Sequence, residues 1–262
     1  MPTKHLMVSL SDQSIALILG SLLGDGSLKK HSGYVNARFS FRHSVKQLNY
    51  FNWKVAQLGE ISGDKSVWVQ PPDGFSKRNK IRYQSLALPS LTELYRMTHS
   101  GKHFEIKRGW LNLMNELSLA IWWMDDGSLI SNCRKGVFCT DGFDEQSVKK
   151  LARYLEVVWS ISTSVGPVNR TSNGKTTQVF RIWIRSTDEL KKLFRLIAPY
   201  IQEKDMLYKV LILYKDSELQ QRWISELVGL TKFTEMEISS MVSKRKSQIK
   251  FYSEKDIVHP LM

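Results

Sequence analysis

The tetrapeptide Asp-Gly-Ser-Leu occurs twice, beginning at Asp25 and at Asp126, and each copy closes an apolar run. The two aspartates stand 101 residues apart. The runs, residues 15–23 and 117–124, read as helices. A helix C-terminus presents unpaired carbonyls and the negative end of the macrodipole, so a carboxylate there is unfavourable unless a cation sits nearby. Carboxylate and carbonyl oxygens are hard ligands, which suits Mg2+ or Ca2+. Asp25 and Asp126 are therefore the candidate catalytic carboxylates and metal ligands. Gly24 and Asp125 complete the candidate metal set, although Asp125 matches Gly24 of the first copy and reads more as a cap or a solvated acid. Gly26 and Gly127 stand where a left-handed cap residue is expected. Gly20 and Gly24 strip side chains from the first helix and would let the second approach. The carboxylates would then meet at a pseudo-two-fold axis, with two metals about 3.5–4 Å apart.

One Asp-Gly is ordinarily a turn or a helix stop. The repeat around it argues for more. Ser44-Val45-Lys46-Gln47-Leu48 returns as Ser147-Val148-Lys149-Lys150-Leu151, and Glu93-Leu94 as Glu189-Leu190. The period is too long for a solenoid. It implies two tandem half-domains, residues 11–110 and 111–215, with residues 216–262 as a C-terminal extension.

The elements that would position the acids follow from periodicity. Ser11 can cap the first helix, which is apolar on nearly all sides and should be buried. Residues 34–41 alternate, with Val35, Ala37, Phe39 and Phe41 facing one way and Asn36, Arg38, Ser40 and Arg42 the other. Residues 44–58 read as a helix. Residues 65–69 and 80–88 read as strands around an exposed loop at 70–79, and residues 91–97 as a short helix. In the second half, residues 136–140 form a strand and Asp144 caps a helix through Trp159. Strands follow at 163–169 and 177–185, with a turn at 171–175, and Thr187 caps a helix to Ile197. The fold class is α+β: each half is αββαββα, and four strands with one basic face form a saddle over a duplex. Arg38, Arg42, Arg82, Arg181 and Arg185 are the candidate DNA contacts. Residues 239–250 carry Lys244, Arg245, Lys246 and Lys250 and read as a solvated tail, with a DNA-contacting arm as the other reading.

Composition agrees. The chain has 262 residues, 42% of them hydrophobic, so disorder is not expected. A formal net charge of +13 and a pI of about 9.7 favour a polyanionic partner, nucleic acid before an anionic membrane. No apolar run reaches the roughly 18–20 residues of a membrane span. Cys133 and Cys139 fit no zinc spacing and no disulfide framework, and read as a reduced pair in a reducing intracellular compartment. The first residues are too short and polar for a secretory signal, and an organelle-encoded origin, mitochondrial or chloroplast, needs no transit peptide.

These residues resemble the LAGLIDADG homing endonucleases of the monomeric, two-motif kind. Residues 18–26, Ile-Leu-Gly-Ser-Leu-Leu-Gly-Asp-Gly, look like the first motif, and residues 119–127, Leu-Ala-Ile-Trp-Trp-Met-Asp-Asp-Gly, like the second. The resemblance covers about residues 11–215. It implies a monomer that cleaves long double-stranded DNA sites with Mg2+ and leaves short 3′ overhangs, with Asp25 and Asp126 as metal ligands. It also places a basic residue near the reacting water in each half. Met206-Leu207-Tyr208-Lys209 is similar to the segment carrying one, which assigns Lys209. Its partner falls near residues 101–107, and Lys102 is chosen although the gapless match lands on His103. Ile121 and Trp122 depart from the small third residue and its neighbour in the second motif, which implies an asymmetric helix interface. The competing readings are a maturase that folds intron RNA, or a DNA-binding regulator on the same scaffold. Loss of either aspartate would favour these, and both are present.

Overall fold

The computed structural model of the protein describes residues 9–72, 79–172 and 174–256. Two compact units divide the chain, Met1–Ile121 and Trp122–Met262. In the first, helix α1 (Asp12–Leu22) leads into β1 (Gly26–Lys29) and β2 (Arg38–Ser44). Next come α2 (Leu48–Gln57), β3 (Val67–Gln70), β4 (Lys80–Gln84) and α3 (Pro89–Thr98). A small hairpin, β5 (His99–Ser100) and β6 (His103–Phe104), and the short α4 (Arg108–Leu111) precede α5 (Glu116–Asp126), inside which the boundary falls. The second unit continues with β7 (Gly127–Ile130), β8 (Lys135–Phe138), α6 (Glu145–Trp159), β9 (Ser164–Ser172), β10 (Lys175–Ile184) and α7 (Thr187–Ile197). A 3₁₀ segment at Lys204–Val210 leads to α8 (Ser217–Leu230) and α9 (Glu235–Ser247).

Both four-stranded sheets are antiparallel and have the same strand order, first–second–fourth–third: β1-β2-β4-β3 and β7-β8-β10-β9. The αββαββα reading of each half is thus the observed element order. The sheets also align residue by residue. Gly26 pairs with Phe41 and Gly127 with Phe138, while Phe41 pairs with Tyr83 and Phe138 with Ile182.

Helix α1 starts where Ser11 caps it, the Ser11 hydroxyl accepting from the Ser14 amide at 3.2 Å. Ala16, Leu17, Ile18 and Leu19 are completely buried, consecutive residues on every side of the helix, as an all-apolar helix requires. At Gly20 its backbone meets the start of α5. A Cβ on Gly20 would lie 2.3 Å from the Ser118 carbonyl oxygen and 2.8 Å from the Ile121 Cβ. In the second unit Trp122 and Trp123 are fully buried. Trp122 stacks on Phe138 at 4.1 Å, and Trp123 packs edge-on against Phe138 and Phe194. Helix α7 buries Leu190, Leu193, Phe194 and Ile197, one stripe at helical spacing.

Several expectations need correction. Gly26 and Gly127 are not left-handed caps; among the described glycines, positive φ occurs at Gly33, Gly101 and Gly174. They are glycine for lack of room: a Cβ would lie 2.7 Å from the Ser21 carbonyl oxygen at Gly26 and 2.2 Å from the Trp123 ring at Gly127. Asp126 is the last residue of α5, but α1 ends at Leu22 and Asp25 lies in the turn beyond it. Strand β2 starts at Arg38 and runs past Phe41 to Ser44, and Val35 is 81% exposed. Ser186, not Thr187, caps α7. The supposed basic tail is helix α9, opened by a capping box of Thr234 and Glu237, with Ile238, Val242 and Lys246 buried. Tyr252 beyond it donates to the carbonyls of Asn132 and Leu213. Of the loop expected at 70–79, residues 73–78 lie outside the described residues.

The tightest of these contacts yields a stability test. Gly20→Ala places a methyl against the Ser118 backbone, which has no rotamer to retreat into, and is expected to destabilise the protein by about 1–3 kcal/mol. Urea unfolding reads this directly, and an unchanged midpoint would show that the two backbones are not in contact.

Candidate metal and nucleic-acid site

The strand sequences decide the electrostatics. The eight strands of the two sheets contain nine lysines and arginines and no aspartate or glutamate. In the first unit the alternation puts Phe39, Phe41, Ile81 and Tyr83 in the core and Arg38, Arg42, Lys80 and Arg82 on the other face. There the register sets cation against cation: Lys29 opposite Arg38, and Arg42 opposite Arg82. Like charges directly opposed destabilise a sheet. Trp68, paired with Arg82, relieves part of this through its ring, 5.3 Å from the guanidinium, and Tyr34 does the same for Arg38 at 5.0 Å.

Asp25 borders this face. It lines an open cleft of about 450 Å³ with Arg42, His43, Ser44, Gln47, Asn79 and Lys80. Its Oδ2 lies 3.3 Å from His43 Nδ1. His43 is 3% exposed, and its ring is held by Phe41, Tyr50 and Phe51 at centroid distances of 5.5, 5.1 and 6.2 Å. Beneath them Lys54 is fully buried, its ammonium 4.4 Å from the centre of the Phe41 ring.

The second unit repeats the theme with different partners. Asp126 lines a cleft of about 490 Å³ with Cys139, Asp141, Gly142, Asn169, Arg170 and Arg181. Cys139 donates its amide to the Asp126 carbonyl at 3.0 Å. Burial pushes the Cys139 thiol above its ordinary value. Arg181, expected as a DNA contact, is gripped by Asp141: Nε donates to Oδ1 at 2.6 Å and Nη2 to Oδ2 at 2.7 Å. Arg170 lies 3.5 Å from the same carboxylate. Arg185 sits past the end of β10, donating to the Ser164 hydroxyl.

Lys209 is 7% exposed, between the fully buried Leu207 and Val210. Its carbonyl accepts from the Trp123 indole at 2.9 Å, and its ammonium donates to the Gly127 carbonyl at 2.7 Å, one residue past Asp126. Lys102 in the first unit is exposed at the β5–β6 turn, but it lines a cavity of about 320 Å³ that also includes Gly26, the residue matching Gly127. Lys107, the neighbouring candidate, pairs with Glu105 at 3.0 Å.

The donor set fits a divalent cation. Neither α1 nor α5 has a basic residue in its last turn, a feature they share with α6 and α8, but only at the ends of α1 and α5 does the repeated Asp-Gly stand. A carboxylate next to such an end, among oxygen donors, is a hard-cation environment. Asp25 in the first unit and Asp126 in the second would each hold an ion in its own cleft.

Two residues that line these clefts, His43 and Asp141, were not singled out by the sequence reading. His43 continues the alternation of β2 two residues past Phe41, and a strand drawn to Ser44 would have found it. Asp141 becomes visible only once β8 and β10 are paired, which brings it to Arg181.

The chain matches the LAGLIDADG DNA endonuclease family over residues 15–192. It is 31% identical over 220 residues to protein RecA of Mycobacterium shimoidei, covering 77% of this chain and 47% of that one. It is 26% identical over 197 residues to the cytochrome b mRNA maturase bI2 of Saccharomyces cerevisiae, covering 71% and 45%. The chain thus spans about half the length of these curated relatives. Among solved structures, the homing endonuclease I-WcaI bound to its DNA recognition sequence superposes with a TM-score of 0.64 at 22% identity, covering 78% of this chain and 88% of that one, a likeness of fold.

The Asp141–Arg181 fork predicts a pH dependence. The guanidinium holds the Asp141 carboxyl below the usual carboxylate range. A carboxyl whose folded value lies below its unfolded value stabilises the protein above the unfolded value, near 3.9 for aspartate, and loses that contribution as pH falls through the folded one. Asp141→Asn should therefore reduce stability at pH 7 by about 1 kcal/mol, and the gap to wild type should narrow below about pH 4. Urea unfolding at pH 7 and pH 3 checks this, and a gap of constant size would contradict it.

Proposed function

The chain belongs to the LAGLIDADG DNA endonuclease family, and from that premise we propose that it is a site-specific, double-strand DNA endonuclease using Mg2+. One observation carries this reading. In each unit the repeated aspartate lines a cleft walled by cations of an acid-free sheet, Arg42 and Lys80 in the first and Arg170 and Arg181 in the second. A carboxylate suited to a cation, set among cations suited to phosphate, is what phosphodiester hydrolysis needs.

The geometry supports the following division of labour. Arg38, Arg42 and Arg82 meet the duplex on the sheet face, through phosphates or guanine edges. Binding a polyanion relieves the opposed charges of Lys29–Arg38 and Arg42–Arg82, so the repulsion in the free protein favours the complex. Asp141 fixes the orientation of Arg181 and lowers its flexibility. Arg185 contributes at the sheet's end. In each unit the aspartate would hold an ion, Asp25 with Gly24 beside it and Asp126 with Asp125 beside it, and a bound ion would supply Lewis acidity at the scissile phosphate. Lys209 donates to the Gly127 carbonyl, and an incoming phosphate oxygen near Asp126 is the competing acceptor for its remaining protons. Lys102, which lines the cavity that includes Gly26, is its counterpart in the first unit. The chain works as a monomer, since its two units each bring one aspartate.

A second reading draws on the likeness to the cytochrome b mRNA maturase bI2: the same basic surfaces would bind a folded intron RNA. Competition between the target duplex and structured RNA for the free protein distinguishes the two.

Asp25→Asn and Asp126→Asn should each abolish double-strand cleavage in Mg2+ while leaving duplex binding close to wild type. Arg82→Ala should do the reverse, weakening specific binding by about 1–3 kcal/mol if the contact is bidentate to guanine. Full double-strand cleavage by either aspartate variant would refute the assignment.

Lys209→Met should slow single-turnover cleavage far more than it weakens binding. The methionine keeps the stem buried between Leu207 and Val210 and removes only the ammonium. Equal losses in both measurements would make Lys209 a simple phosphate contact.

A further inference from the structure

We propose that Asp25 and His43 together form a mixed carboxylate–imidazole site that takes a divalent first-row transition-metal ion in preference to Mg2+. The inference rests on the reading of Asp25 as a cation ligand. It adds a nitrogen ligand and changes the class of ion.

The spacing is the first argument. Two neighbouring ligands of an octahedral ion with bonds of about 2.1 Å stand about 3.0 Å apart. Asp25 Oδ2 and His43 Nδ1 are separated by 3.3 Å, so an ion fits across both with little movement. Rigidity is the second. His43 sits among Phe41, Tyr50 and Phe51, which hold the ring edge toward the carboxylate, while Asp25 keeps 42% of its side chain exposed. The ring is fixed before the ion arrives, and the entry is from the Asp25 side. Supply of further ligands is the third. Ser44, Gln47 and Asn79 line the same cleft, leaving the remaining positions to amide or hydroxyl oxygens and water.

Ligand chemistry then selects the ion. Imidazole suits the later first-row ions, from Fe2+ through Co2+ and Ni2+ to Zn2+, whereas Mg2+ takes oxygen and keeps its waters. The second unit supplies a built-in comparison. Because Gly26–Phe41 and Gly127–Phe138 are equivalent pairs, His43 corresponds to Thr140. The Thr140 hydroxyl donates to the Phe180 carbonyl at 2.7 Å, so that position offers Asp126 no nitrogen ligand. The two units therefore differ in ion preference, and the nitrogen ligand is confined to the first.

The test uses the full chain and the metal alone, without DNA. Co2+ and Mg2+ are titrated by calorimetry into wild type, His43→Thr, His43→Gln and Asp25→Asn, each checked for folding by circular dichroism. His43→Thr, which copies the second unit, is expected to weaken Co2+ by about tenfold or more and to change Mg2+ little. Asp25→Asn is expected to weaken both. Should the His43 variants fail to fold, nitrogen-14 modulation of the spin echo from Mn2+ bound to the unmodified chain answers the same question: its presence supports imidazole ligation and its absence overturns it. If both His43 variants fold and keep the wild-type ratio of Co2+ to Mg2+ affinity while Asp25→Asn weakens both ions, the Asp25–His43 contact is an ion pair only. The inference then falls and the reading of Asp25 stands. If Asp25→Asn changes neither ion, both fall together.

Discussion

Everything at the candidate site depends on how a buried apolar helical stretch is made to stop. Residues 16–19 of helix α1 and the Trp122–Trp123 stretch of α5 have no polar face to offer solvent, so burial fixes them on all sides. Their C-terminal ends are consequently fixed too, with carbonyls that no basic residue of the last turn satisfies. From there the chain must turn at once into the first strand of its sheet. Gly26 and Gly127 make that turn possible because any side chain would strike the Ser21 carbonyl or the Trp123 ring. Asp25 and Asp126, one residue earlier, are set at the junction of buried helix and sheet edge. Their position is therefore a packing consequence, held by buried apolar packing in each unit.

The second constraint is charge, and it acts against the free protein. A sheet whose register opposes Arg42 to Arg82 and Lys29 to Arg38 would be more stable with either member neutral. The chain keeps the cations and places Trp68 and Tyr34 beside them. On the proposed function, stability is given up on the face that would meet the polyanion. The second sheet resolves the same problem with a carboxylate, Asp141, outside the strands. One sheet thus offers loosely held arginines and the other a braced one, and the units are not interchangeable despite their common topology.

Legibility in the sequence followed the range of the interactions. The apolar helices, the Ser11 and Asp144 caps and the αββαββα order rest on local periodicity, and all appear in the structure. The left-handed caps at Gly26 and Gly127 were misread because a glycine after a helix looks the same whether it answers a backbone angle or a shortage of space. Only the packing of Ser21 and Trp123 tells them apart. The Lys246 segment was misread for a related reason: a run of basic residues conceals the Ile238–Val242 stripe beneath it, and a lysine can be buried when its ammonium reaches a carbonyl, here that of Asp256 at 2.7 Å. Asp141 and its hold on Arg181 span 40 residues, and no local pattern encodes that distance.

His43 shows how a local rule and a long-range contact combine. The period-two alternation that buries Phe39 and Phe41 extends to position 43, which predicts burial but says nothing of chemistry. A buried imidazole needs a partner, and the register that puts Gly26 opposite Phe41 brings the turn carrying Asp25 alongside position 43. The second unit has the same register and the same preceding aspartate, yet Thr140 turns its hydroxyl to the neighbouring strand. One side chain, at one position of a duplicated frame, therefore separates two otherwise equivalent carboxylates. Duplication keeps the frame because helix and sheet packing constrain it from every side, while the residue in contact with the carboxylate is free to diverge.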